Sequence, residues 1–167
     1  MLHAAGRVDP KLLVLAACAC ARESLQFART GDARPRAAIE AAEVWAHHGD
    51  GADITAAALR AADAAEEAHE AGYHNAAYAA QAARDAANAA VSGRRGGGFT
   101  GPSAAQCANA VAEAFVMLHG VDAARSAGGL DAVARYADAV RREWRLKLAD
   151  VVRRNIPTVA VLGAATA

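Results

Sequence analysis

The sequence predicts an all-α fold, a single irregular bundle of five to seven helices, and three observations carry that expectation. Hydrophobic residues make up 54% of the chain but aromatics only 5%, so the apolar content is mostly alanine, the best intrinsic helix former. Apolar positions recur at helical spacing through most of the chain. Helix-start and helix-stop residues punctuate it at irregular intervals, which argues against a solenoid of equal repeats. The 167 residues suit one domain spanning 1–167. Alanine buries little area, so Trp45, Trp144, Phe27, Phe115, Ile39 and the leucines should supply most of the burial.

The elements follow in order. Asp9 and Pro10 open a first helix over about 10–28, apolar on all sides in its middle and therefore expected at the centre. The second, over about 33–48, has Asp32 as its cap and Pro35 in its first turn. Ile39, Ala42 and Ala46 share one of its faces, with Ala38, Ala41 and Trp45 beside them, and Gly49 closes it. Asp53 caps a third, over about 54–71, which ends at Gly72. A fourth, over about 74–91, is nearly all alanine, with Tyr78, Gln81, Arg84, Asp85 and Asn88 as its markers. The run "SGRRGGGFTGP", 92–102, is too rich in glycine for a helix and reads as a mobile loop. Ser103 then caps a fifth helix over about 104–119, and "VDAARSAGG" reads as a short helical turn. The last helix, over about 130–154, carries Val133, Ala137, Val140, Trp144, Leu148 and Val151 as a buried stripe, and Pro157 closes it. The tail 155–167 docks or frays, and its "TVAVL" is the one candidate strand.

Net charge is zero, which argues against a general nucleic-acid binder. The charge is unevenly spread. Acids dominate from Glu40 to Glu70, against Arg60 alone, and bases dominate from Arg135 to Arg154. Two readings follow: solvated faces that attract each other, or an acidic surface built for a basic partner. Three cysteines do not suggest a disulfide framework, and buried free thiols in a reducing cytoplasm are expected. "LLVLAACACA" is too short to cross a bilayer and lacks the basic flank of a secretory signal, so no membrane association is expected.

Candidate chemistry is sparse. Glu66-x-x-His69 has the spacing that places a carboxylate and an imidazole on one metal, but a di-iron bundle needs two such motifs. Glu43 with His47, and Glu70 with His74, are further pairs one turn apart. A metal- or ligand-binding domain or small enzyme built on His47, Glu66, His69 and His74 is therefore the alternative to a binding protein without cofactor. His47 and His48 also suit a helix C-terminus by charge alone. No G-x-S-x-G turn is present, Cys107 and His119 stand three turns apart, and "GRRGGGFTG" lacks the ending of a P-loop. No catalytic residue is assigned.

The string D-x-R-P-R-x-A-I-E-A-x-x-x-W, Asp32 to Trp45, resembles the motif of a family of immunity proteins from bacterial polymorphic toxin systems. The opening "DPKLLVLAACACARESLQFA", the alanine-rich middle and the closing "RREWRLKLADVV", with Glu143 and Trp144, are similar to that family as well, so the resemblance covers roughly 9–154. It departs at the arginine–glycine run 93–98 and in the tail after Arg154. The resemblance implies a cytoplasmic protein that binds and blocks a cognate toxin; it names no toxin and sets no oligomeric state. Inhibitors of basic enzymes use acidic patches to speed encounter, which puts Glu66, Glu67 and Glu70 forward as binding residues. Arg34 and Arg36 stand at a helix start, where the dipole disfavours them. They either pin the first turn to a carboxylate, with Glu40 and Glu143 as candidates, or belong to the partner site.

Overall fold

The computed structural model describes residues 9–49, 53–95, 100–126 and 130–156. Among them are six α-helices: α1 (Pro10–Ser24), α2 (Arg34–His48), α3 (Ile54–Glu70), α4 (His74–Arg94), α5 (Thr100–Ser126) and α6 (Leu130–Asn155). A single 3-10 turn, Leu25–Phe27, follows α1, and no strand is present among the described residues. The chain is an all-α multi-helix bundle, as its composition and periodicity predict. The segment "TVAVL" and the tail beyond Ile156 lie outside the described residues.

The centre of the bundle is α4. It packs against α1, α2, α3 and α5, while α1 packs against α2, α4, α5 and α6. The fourth helix therefore shares the position expected for the first. The physical reason is side-chain size. Ten alanines of α4 are buried, from Ala76 to Ala90, and a helix clad in methyl groups admits neighbours on most of its circumference. Tyr78, Gln81, Arg84 and Asn88 form its half-buried outer stripe. Asp85 falls at the edge of that stripe and is buried.

Local signals explain the helix ends. Asp9 accepts from the backbone N–H of Lys11, and Asp53 from that of Ala56. Gly49 closes α2 at φ +81°, a conformation that a side chain would strain. Two expectations change. The run from Ser92 to Arg94 continues α4 by one turn, and α5 begins at Thr100 rather than after Ser103, so most of the expected loop is helical. Only 96–99 of it lies outside the described residues. At the other end α5 absorbs "VDAARS" through Ser126. At the end of α4, packing outweighs the local cost of glycine.

The reason is visible at Gly93. A Cβ placed there would lie 2.5 Å from Cη2 of Trp45, so the last turn of α4 closes directly over the indole. Trp45 is buried by this contact at 6% exposure. Trp144, by contrast, is half-buried: it lies on the flanking helix α6, which among the described residues packs mainly on α5 and α1. Its ring stacks on Phe115 with centroids 3.4 Å apart, and Phe27 meets the same phenyl edge-on at 4.7 Å. On α6, Val140, Leu148 and Val151 are buried as expected, with Val133 and Ala137 half-buried.

Gly93→Ala should destabilise the fold by about 1–3 kcal/mol through overpacking against a rigid buried ring. In a double-mutant cycle with Trp45→Phe, which removes the clashing atoms, urea melts should show the second Gly93→Ala substitution costing clearly less. Equal costs in both backgrounds would mean that Gly93 and Trp45 do not touch.

Candidate functional site

The turn "RTGDARPR" and the end of α3 form one polar surface, and Arg34 is its hub. Arg34 opens α2, and its guanidinium reaches back to Asp32 and across to α3. Nε and Nη2 donate to the Asp32 carboxylate at 2.9 Å each. Nη1 and Nη2 donate to the two Glu67 oxygens at 2.8 and 2.7 Å. Asp32 also accepts from the backbone N–H of Arg34 at 3.0 Å, so the acid caps the first turn and neutralises the arginine that starts it. The helix itself is assigned from Arg34, with Ala33 at its cap position, one residue later than the sequence suggests. Hydrogen bonds from Arg34 hold the Asp32 and Glu67 carboxyls below the usual carboxylate range, and Glu67 and Asp32 raise the arginine in turn.

Arg34 thus pins α2 to a carboxylate on another helix, but that carboxylate is Glu67 on α3. Glu40 is exposed one turn from Arg36 and pairs with neither arginine. Glu143 sits on α6 and is bridged by Lys147 at 2.7 Å. The remaining motif residues also serve the fold: Pro35, Ile39 and Trp45 are buried. Arg36 is exposed, has no ion-pair partner among the described residues, and lines an open cleft of about 290 Å³ with Arg29 and Asp32. Arg29 lies over the ring of Tyr73, 5.3 Å from its centroid.

On α3 the three glutamates part company. Glu66, Glu67 and Glu70 are all exposed, yet Glu67 is engaged by Arg34, while Glu66 and Glu70 have no ion-pair partner among the described residues. Asp63 and Leu59, also exposed, continue the flank towards the start of the helix. Among the described residues no ion pair joins the acidic run to the basic run: α3 packs on α2 and α4, and α6 on α5 and α1. Other cross-helix clamps take that role. Arg22 on α1 grips Glu43 on α2 at 2.8 and 2.6 Å, and Arg141 on α6 grips Glu113 on α5 at 2.6 and 3.1 Å.

The histidines do not converge. His47 lies in the last turn of α2, His69 in the last turn of α3, and His74 opens α4. The His69 and His74 rings meet at 5.1 Å, but among the described residues no group of three or more His, Cys, Asp or Glu is placed to hold a metal ion. The three cysteines are free and buried. Burial pushes the Cys18 thiol up to about 12 and Cys20 up to about 11, and raises Cys107 well above its ordinary value. They are packing residues and weak donors, with Cys107 giving its S–H to the carbonyl of Ala17 at 3.2 Å.

Sequence reasoning missed one feature of the interior. Asp85 is 2% exposed; its Oδ1 accepts from Nε and Nη2 of Arg84, and its Oδ2 has no hydrogen-bond partner. Desolvation raises its carboxyl above the usual range. Its flanking alanines were the available signal, since an acid beside them has little solvent.

Comparison with known proteins gives no match to a family model, a curated protein or a solved structure. No described helix is long and apolar enough to cross a membrane.

Two measurements follow. Asp32 and Glu67 have lowered carboxyls in the fold, so the stability they contribute is complete above the unfolded values near 4 and is lost as pH falls. Arg34→Gln should flatten the acid limb of a stability–pH curve below about pH 4.5, and an unchanged limb would show that the clamp does not form. Asp85 has the opposite sign, because its raised carboxyl lowers stability as pH rises. Asp85→Asn should stabilise the fold by about 1 kcal/mol at pH 7 and by less at pH 4; destabilisation at pH 7 would mean that the buried charge is fully compensated.

Proposed function

We propose that the chain is a binding protein of the immunity type, acting in the cytoplasm, which neutralises a cognate bacterial toxin by direct contact and needs no cofactor. The observation that carries the reading is the acidic flank of α3. Glu66 and Glu70 stand one turn apart and exposed, with mild mutual repulsion that no cation among the described residues relieves. Glu67 between them is clamped by Arg34, which ties this flank to the rigid bundle. A basic partner surface relieves the repulsion, and its field speeds encounter. The resemblance of Asp32–Trp45 to immunity proteins supports the same class. On this reading the motif is scaffold, and the contact surface lies beside it.

Co-expression with the toxic domain encoded in a neighbouring reading frame should restore growth, and the purified pair should form a one-to-one complex. Glu66→Lys with Glu70→Lys should leave the fold intact and slow association by about tenfold at low salt, a loss that shrinks as salt rises. Failure of the wild-type chain to rescue growth contradicts the immunity reading. An unchanged association rate for the double variant moves the interface away from α3.

A further inference from the structure

The two flanking helices of the bundle carry opposite charge. Helix α3 holds four acids and one base and packs on α2 and α4; α6 holds seven bases and four acids and packs on α5 and α1. On α6, Arg141 is engaged by Glu113 and Asp138, Lys147 by Glu143, and Arg153 by Asp150. Arg135, Arg142 and Arg145 are exposed and have no ion-pair partner among the described residues. Each flank also exposes one leucine. Leu59 on α3 is 62% exposed and Leu146 on α6 is 64% exposed, the two most exposed large apolar side chains among the described residues.

The spacing around these leucines matches. Asp63 lies one turn after Leu59, and Glu70 three turns after it. Arg142 lies one turn before Leu146, and Arg135 three turns before it. Offsets of four and eleven residues return close to the same helix face, so each leucine and its two charges form one stripe. Antiparallel docking with the leucines opposed sets Asp63 across from Arg142, Glu70 across from Arg135, and Glu66 across from the small exposed Ala139. Arg60 and Arg145, a quarter turn away, fall on opposite flanks of the contact.

We propose that the α3 stripe Leu59–Asp63–Glu70 of one copy docks antiparallel on the α6 stripe Leu146–Arg142–Arg135 of a second copy of this chain. Both halves of the complement belong to the same sequence, on helices that pack on different neighbours, so two copies are needed to join them. A net charge of zero removes the long-range repulsion that keeps many proteins apart. The contact is heterologous: a docked pair keeps one basic stripe free on the first copy and one acidic stripe free on the second, and assembly runs on as an open chain or closes as a ring. One helix pair makes a small interface, so the association is weak and salt-sensitive. It stands apart from the toxin reading, although a copy whose α3 is occupied has its acidic flank covered.

Sedimentation velocity on the purified full chain, without any partner, tests this. At about 50 mM salt the weight-average sedimentation coefficient should rise with protein concentration, and at about 500 mM the rise should vanish. Asp63→Arg with Glu70→Arg, and separately Arg135→Glu with Arg142→Glu, should each weaken self-association roughly tenfold or more while leaving the circular dichroism unchanged. An equimolar mixture of the two reversed variants should associate again, because every α3–α6 pairing between them is complementary. A wild-type chain that stays monomeric at low salt overturns the proposal. Self-association that survives both reversals, or reversed variants that do not associate when mixed, overturns it as well.

Discussion

Close approach of alanine-clad helices is the constraint from which the rest of the structure follows. A leucine core fills space with long side chains and holds helix axes apart; an alanine core lets backbones approach. The buried methyl groups of α4 allow four helices to reach it, and the last turn of that helix narrows to a glycine where it meets the Trp45 ring. Each alanine contributes little transfer free energy, so stability comes from many small contacts and from the few large groups at the margins. Trp45 fills the space under Gly93, and Phe27, Phe115 and Trp144 form an aromatic stack joining the turn after α1 to α5 and α6.

Methyl groups pack well but discriminate poorly between one register and the next. Three arginine clamps supply the discrimination, because a bidentate guanidinium–carboxylate pair has one favourable geometry. Arg22 with Glu43 joins α1 to α2, Arg34 with Glu67 joins α2 to α3, and Arg141 with Glu113 joins α6 to α5. The clamps lie at the surface, where an isolated pair adds little stability, so their main contribution is alignment. This places the Asp32–Trp45 string in physical terms: it caps α2, neutralises its first arginine, fastens it to α3 and buries its proline and tryptophan.

The helices were legible in the sequence because their signals are local. Asp9, Asp53 and Gly49 act within a turn of themselves, and their predicted roles match the structure. The end of α4 was not legible, because Gly93, which disfavours a helix in isolation, is held in one by Trp45, which lies far away in sequence. Partners across helices were hidden for the same reason. Arg34 announced a need for a carboxylate, but only the fold selects Glu67 over Glu40 or Glu143. Exposure of Glu66 and Glu70 follows from helical spacing, whereas the loss of Glu67 to a clamp does not. The half-exposure of Trp144 reflects the flanking place of α6, which its own apolar stripe does not encode.

Alanine packing also positions the charged flanks. Because α4 is slim, α3 settles against α2 and α4, and its acids stay in water beside a clamp that keeps the helix from turning. Any binding role for that flank depends on this rigidity. The most direct test of the account is a single added side chain at the centre. Ala86 on α4 is fully buried, whereas Gln81 lies on the half-buried outer stripe of the same helix. Leucine has a helix propensity close to that of alanine, so Ala86→Leu changes packing with little change in backbone preference. Close packing predicts that Ala86→Leu lowers the unfolding free energy by about 1–3 kcal/mol in urea melts, while Gln81→Leu stays within about 0.5 kcal/mol of the parent. An Ala86→Leu variant as stable as the parent, or more so, would contradict it, since there would then be room at the centre that the structure denies.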